Sequence, residues 1–290
     1  MWTLTYQSAL ESLEEIFAFA KSIGVRLEVT RFGDYRRSLE ALVQWQARKQ
    51  PRSFLPGADR VYIVPLMEVV ELVKTLRFLR GCPVEVVRQK LHVISSGPVD
   101  PVRENPVSNK ARNILFEIGL AARLWEFGLK PVLGDSPDLA CEVDHTRLIF
   151  ECKRPFSPAK VKKNIVEAAD QLRRDLRGQP LGTRGMIAIS LSKILNPGNV
   201  LLTESTETVL RNEMKRGTRD LAERHRQTWS RYSRSNILGI LFHRIGPATA
   251  ENLKIYVVAE HWHCCDLVPR HGPDGQVIET LSTKFSRLAL

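Results

Sequence analysis

The sequence predicts an α/β fold: a mixed sheet flanked by helices, behind a mainly helical N-terminal domain. Three observations point to it. Residues 1–95 repeat apolar side chains at three- and four-residue steps, the helical period. Beyond a proline-rich bridge, helical stretches alternate with short strand-like runs. Two late runs, Ile237–Phe242 and Leu253–Val258, are largely apolar and β-branched, as central strands are.

In chain order, Ala9, Leu13, Ile16, Phe17 and Ala20 form one helix face that Gly24 stops. Leu39, Leu42, Val43 and Trp45 suggest a second helix, closed by Pro51. Leu66–Leu79 gives a third, stopped by Gly81 and Pro83, and Val84–Val93 a short fourth. Gly97-Pro98, Pro101 and Pro106 form an extended bridge, so the chain divides near residue 100. Residues 1–100 are expected to serve docking, oligomerisation or DNA binding, and residues 101–290 to carry the sheet.

After the bridge, Ser108 caps a helix that reaches Phe127 and ends at Gly128. Pro131–Gly134 is a short strand. Asp138–Val143 and Arg147–Lys153 are strands around a turn at Asp144-His145. Ser157-Pro158 opens a helix to Arg177. Met186–Leu191 is a buried strand and Thr206–Gln227 a long polar helix, followed by the two apolar strands.

Composition bounds the function classes. A chain of 290 residues with 43% hydrophobic and 26% charged residues is an ordinary folded protein, long enough for two domains. No apolar run approaches the roughly 18 residues of a membrane span. A net charge of +11 favours polyanionic partners. The five cysteines have no C-x-x-C spacing and no secretory signal precedes them, so a reducing, cytoplasmic setting is expected. There is no G-x-S-x-G, H-E-x-x-H or Walker loop, which argues against a covalent hydrolase or an ATPase.

The chemistry concentrates in Asp135-Ser-Pro-Asp138 and Ile149-Phe-Glu-Cys-Lys-Arg-Pro155. A turn centred between Asp144 and His145 sets Asp138 opposite Glu151. Side chains alternate along a strand, so Glu151 and Lys153 share a face and Phe150 and Cys152 take the other. Two facing carboxylates repel beside a core, and a divalent cation relieves them; oxygen ligands suit Mg²⁺ or Mn²⁺. Lys153 is placed to orient or deprotonate a water there, as phosphodiester hydrolysis requires. Glu117, the only acid between Ile114 and Trp125, lies among apolar helix residues and is expected either to look inward, as a metal ligand or behind the ligands, or to be displaced to solvent. Gln171 borders the stripe Val161, Ile165, Ala168, Leu172 and Leu176, where its amide can hold a water or a phosphate.

These residues, Pro137-Asp138, Glu151-Cys152-Lys153, Glu117 and Gln171, resemble the PD-(D/E)XK, or restriction-endonuclease-like, phosphodiesterase superfamily over residues 106–195. The resemblance implies an αβββαβ core, a Mg²⁺-dependent nuclease activity and a nucleic-acid substrate, DNA before RNA. It implies Asp138 and Glu151 as metal ligands and Lys153 as the catalytic lysine, with Glu117 and Gln171 as further catalytic residues. A non-catalytic nucleic-acid-binding or assembly protein on the same scaffold is the alternative.

Lys160, Lys162, Lys163, Arg173, Arg174 and Arg177 line the exposed faces of the helix that follows, where they can hold phosphates; Arg154 can touch one too. Residues 211–234 carry eight Lys or Arg, Arg216 and Arg219 among them, against three Asp or Glu. Trp229 and Tyr232 interleave with these charges, a pattern that suits stacking on an unpaired base, although a solvated helix has the same composition. His261, His263, Cys264 and Cys265 lack the second ligand pair of a zinc site and read as a strand end. No membrane partner is expected; a homodimer or larger assembly through the N-terminal helices is.

Overall fold

The structure, a computed structural model, describes residues 5–49, 60–105, 107–233, 235–250 and 256–287. Pro51, Pro106, Arg234 and residues 253–255 of the expected late strand lie outside them.

Among the described residues four α-helices come first: α1 (Tyr6–Ser22), α2 (Arg31–Ala47), α3 (Arg60–Leu79) and α4 (Val84–Ser95). The Thr5 hydroxyl accepts the Ser8 N–H and starts α1; Gly24, at φ +83°, follows its end. Helix α3 begins well before Leu66 and runs through Pro65, because Tyr62, Ile63 and Val64 extend its buried stripe.

Helix α5 (Lys110–Glu126) is buried on nearly every side. Asn109 precedes it, and Ser108 is not its cap: the Ser108 hydroxyl accepts the Asn105 N–H instead. Strands β1 (Val132–Leu133), β2 (Leu139–Val143) and β3 (Thr146–Lys153) form an antiparallel meander. The β2–β3 turn falls at Asp144 and His145, at φ 48° and 64°, as a two-residue hairpin of this twist requires. Leu139 pairs with Phe150, so one residue further on Asp138 stands opposite Glu151.

Helix α6 (Val161–Arg177) crosses to β4 (Arg184–Ser190), which is parallel to β3. A 3-10 turn at Pro158–Lys160 leads into α6, and Ser157 makes no side-chain cap bond, contrary to expectation. Then come α7 (Ser192–Leu195), β5 (Leu202–Glu204), α8 (Glu207–Arg224), α9 (Arg226–Trp229), β6 (Ile237–Ala250), β7 (Val257–Asp266) and α10 (Pro273–Arg287). The long polar helix thus breaks at His225. Strand β6 runs eight residues past Phe242 because β4, then β5, pair with one edge and β7 with the other. The His261–Cys265 run lies inside β7 rather than at a strand end, since residues of β6 pair with all of it.

The sheet order is β1-β2-β3-β4-β6-β5, with β7 on the free edge of β6. One apolar cluster joins Leu13, Phe32, Leu72 and Leu91 of the first helices to Leu120 of α5, Phe150 and Met186 of the sheet, and Phe285 of α10. Helices and sheet on either side of the proline bridge therefore share a core. On the opposite face Ile149, Ile187 and Ile240 pack against Ile165 and Leu172 of α6, Ala222 of α8 and Trp229 of α9. No helix among the described residues is long and apolar enough to cross a membrane.

Candidate metal centre

The alternation of β3 decides which side chains meet. Phe150 and Cys152 enter the core beneath α5, and Ile149 enters the one beneath α6. Glu151 and Lys153 share the face of Ile149 and so look towards α6. Glu151 is fully buried; the Lys153 ammonium bonds its carboxylate and also donates to Gln171 Oε1 at 3.3 Å. Gln171 can receive it because Ile165, Ala168 and Leu172 hold α6 against the sheet. Asp138, just before β2, accepts the Cys152 N–H on Oδ2 at 2.6 Å. Asp138, Glu151, Lys153 and Gln171 are thereby brought together.

Glu117 reaches the same region from α5. Its carboxylate is held by a residue not foreseen: Lys90 of α4 donates to Glu117 Oε2 and to the Gly134 carbonyl, both at 3.1 Å. A second unforeseen residue is Asp175 of α6, one turn beyond Gln171. Its Oδ1 accepts the Ser136 hydroxyl at 3.0 Å. The available signals were slight: Lys90 falls on the apolar face of α4 with Val87, Leu91 and Ile94, and Asp175 follows Gln171 at the four-residue helical step.

Crowded buried acids set the electrostatics. Burial pushes the Glu151 carboxyl up to about 7; the Asp138 charge adds to this and Lys153 opposes it. Burial, then Asp138, pushes Glu117 up to about 7 against Lys90. Asp138 is itself raised by burial, against the Cys152 N–H and the two lysines. Burial lowers the Lys153 ammonium, but the Glu151 charge and hydrogen bond outweigh it and raise the net value. Asp175 acts through space on both Asp138 and Glu151, raising each.

The fit of a cation is testable on single atoms. Glu151 Oε2 and Asp175 Oδ2 are buried and find no hydrogen-bond partner among the described residues. A buried anionic oxygen without a partner is costly, and a hard divalent cation is a natural partner for it. Among the described residues, no three His, Cys, Asp or Glu side chains gather closely enough to hold a metal ion. Each acid instead has a local partner: Lys153 for Glu151, the Cys152 N–H for Asp138 and Lys90 for Glu117. Asp138 and Glu151 are carboxylates, the donor type a hard cation takes, and their present partners are an N–H and an ammonium.

The basic residues separate into two groups. Lys160, Lys163, Arg174, Arg216 and Arg219 are exposed. Surface acids lie near some of them: Glu167 is 3.4 Å from Lys163, Asp220 is 4.0 Å from Arg219, and Glu213 pairs with Arg216. Three residues depart from expectation. Arg154 is turned inward, where its guanidinium bonds Glu104 and Asn109, so it is not free for phosphate. Trp229 is buried and its indole N–H donates to the Ala222 carbonyl at 3.0 Å, so it offers no stacking platform. The break at His225 folds it back beneath α8. Tyr232 is buried as well, under the Arg173 guanidinium.

No protein-family model, curated protein or solved structure matches this chain.

Proposed function

We propose that the chain is a metal-dependent nuclease of the restriction-endonuclease-like kind, cutting phosphodiester bonds of nucleic acid, DNA before RNA. The observation that carries this is the buried Glu151 carboxylate. One of its oxygens bonds the Lys153 ammonium, the other has no partner among the described residues, and Asp138 stands across the hairpin. The order α5-β1-β2-β3-α6-β4 also supports the reading, since it is the αβββαβ arrangement that the resemblance implies.

Asp138 and Glu151 would hold Mg²⁺ or Mn²⁺. When bound, such an ion polarises a phosphoryl oxygen and lowers the pKa of a coordinated water. Lys153, kept protonated by Glu151, donates hydrogen bonds: it orients a water or a non-bridging phosphate oxygen rather than taking a proton. Gln171 fixes the direction of that ammonium. Glu117, held by Lys90, adds negative field behind Asp138. The exposed Lys160, Lys163 and Arg174 on α6, with Arg216 and Arg219 on α8, would contact the phosphate backbone without reading bases. The five cysteines are free thiols, which suits the cytoplasmic setting proposed with this activity.

A second reading, nucleic-acid binding without catalysis, is favoured by one observation: each acid already has a partner within the chain. Titration with Mn²⁺ separates the two. The nuclease reading expects binding that Asp138→Ala abolishes. A folded chain that takes up no Mn²⁺ while binding DNA supports the second reading.

A further inference from the structure

Lys90 carries a charge from the N-terminal helices into the acid cluster. It is buried on the apolar face of α4, where an unpaired ammonium would be expensive. Its two acceptors explain the placement. One is Glu117, and the other is the Gly134 carbonyl. The Gly134 N–H in turn donates to the Asp138 carbonyl at 2.9 Å. That loop is closely packed, since a Cβ on Gly134 would meet the Pro137 carbonyl oxygen at 2.5 Å. A single lysine therefore grips both Glu117 and the loop that presents Asp138.

Charge arithmetic gives this contact a consequence. Glu117, Asp138, Glu151 and Asp175 supply four carboxylates, while Lys90 and Lys153 supply two ammonium groups. When all are ionised, two negative charges remain, which is the charge of one divalent cation. The Glu151 side chain, 1% exposed and with Oε2 unpartnered among the described residues, marks where that cation is needed. A second divalent ion would reverse the local balance and would have to take Glu117 from Lys90.

Resting on the nuclease reading, we propose that Lys90 is a built-in cation that reserves Glu117 and limits the centre to one divalent ion. It is a positioning residue, and through it the N-terminal helices become part of the centre. Losing its charge frees Glu117 to join a second cation site.

The test is Mn²⁺ titration of the full chain, with free Mn²⁺ read by electron paramagnetic resonance and folding by circular dichroism. The expected counts are one ion for the native chain, two for Lys90→Met, and one for both Lys90→Arg and Lys90→Met/Glu117→Gln. Two ions in the native chain, or one in folded Lys90→Met, overturns the proposal. No ion in the native chain overturns the nuclease reading and this inference with it. One native ion that Glu151→Gln removes, together with one ion in Lys90→Met, overturns only the role of Lys90. If Lys90→Met does not fold, Glu117→Gln decides: one ion supports the proposal, and none contradicts it by making Glu117 a ligand.

Discussion

Lys153 Nζ donates to Gln171 Oε1 at 3.3 Å, joining β3 to α6 across a separation of 18 residues. The contact exists because two periodicities agree. Strand alternation sends Lys153 to the α6 face, and the buried stripe of α6 turns Gln171 towards the sheet. The Glu151 carboxylate completes the contact, so the ammonium sits between an anion and an amide oxygen.

The exposed cations of α6 should control affinity through salt. Replacing Lys160, Lys163 and Arg174 together by alanine is expected to weaken DNA binding about equally for unrelated sequences. It should also flatten the plot of log affinity against log salt by about one unit per lost phosphate contact. Fluorescence anisotropy at several salt concentrations measures both. Trp229→Phe should leave the slope unchanged, because the indole is buried.

Arg112 should be a stability residue. It lies 5% exposed on α5 and donates to Glu68 of α3, Glu104 of the bridge, the Tyr35 hydroxyl of α2 and the Pro98 carbonyl. Arg112→Met leaves buried acids short of a partner, although Glu68 keeps Arg31 and Glu104 keeps Arg154 and Lys193. The expected cost is about 3 kcal/mol, at the lower end for a broken buried pair. Urea unfolding measures it.

His261 should shape acid stability. Burial, with His263, Lys215, His243 and Arg244 nearby, lowers its pKa to about 4. The folded chain therefore holds it neutral while the unfolded chain protonates it near 6.5. Between those values the unfolded state binds more protons, so this contribution to stability is intact above about pH 6.5 and is lost as pH falls towards 4. Relative to the native chain, His261→Gln should gain about 3 kcal/mol over that window. Unfolding free energies measured at intervals across it provide the check.

How much of this could be read from the residues alone varied with the range of the interactions. The turn and register of the β2–β3 hairpin were legible because a two-residue turn and strict alternation fix them locally, although β2 starts one residue later and β3 one residue earlier than expected. The ends of α1, α4 and α5 were close, since glycine and proline punctuate them. Strand β6 extends beyond the expected Ile237–Phe242 because pairing with distant segments sets its length: His243 pairs with both β4 and β7, and Arg244 with β7. Helix α10 was not expected: Pro273 and Gly275 in its first turn are residues that favour turns. Lys90 and Arg154 owe their places to partners 27 and 50 residues away, Glu117 and Glu104. Trp229 was misplaced because a run of charges conceals the chain reversal at His225.

Cleavage of supercoiled plasmid and single-stranded DNA in Mg²⁺, by the native chain, Glu151→Gln and Lys153→Ala, tests the central claim most directly. The account predicts cutting by the native chain that chelation stops, and a loss of about a hundredfold or more in each variant while both remain folded. Equal cutting by all three proteins, or no cutting of any nucleic acid by a native chain loaded with Mg²⁺, would contradict it.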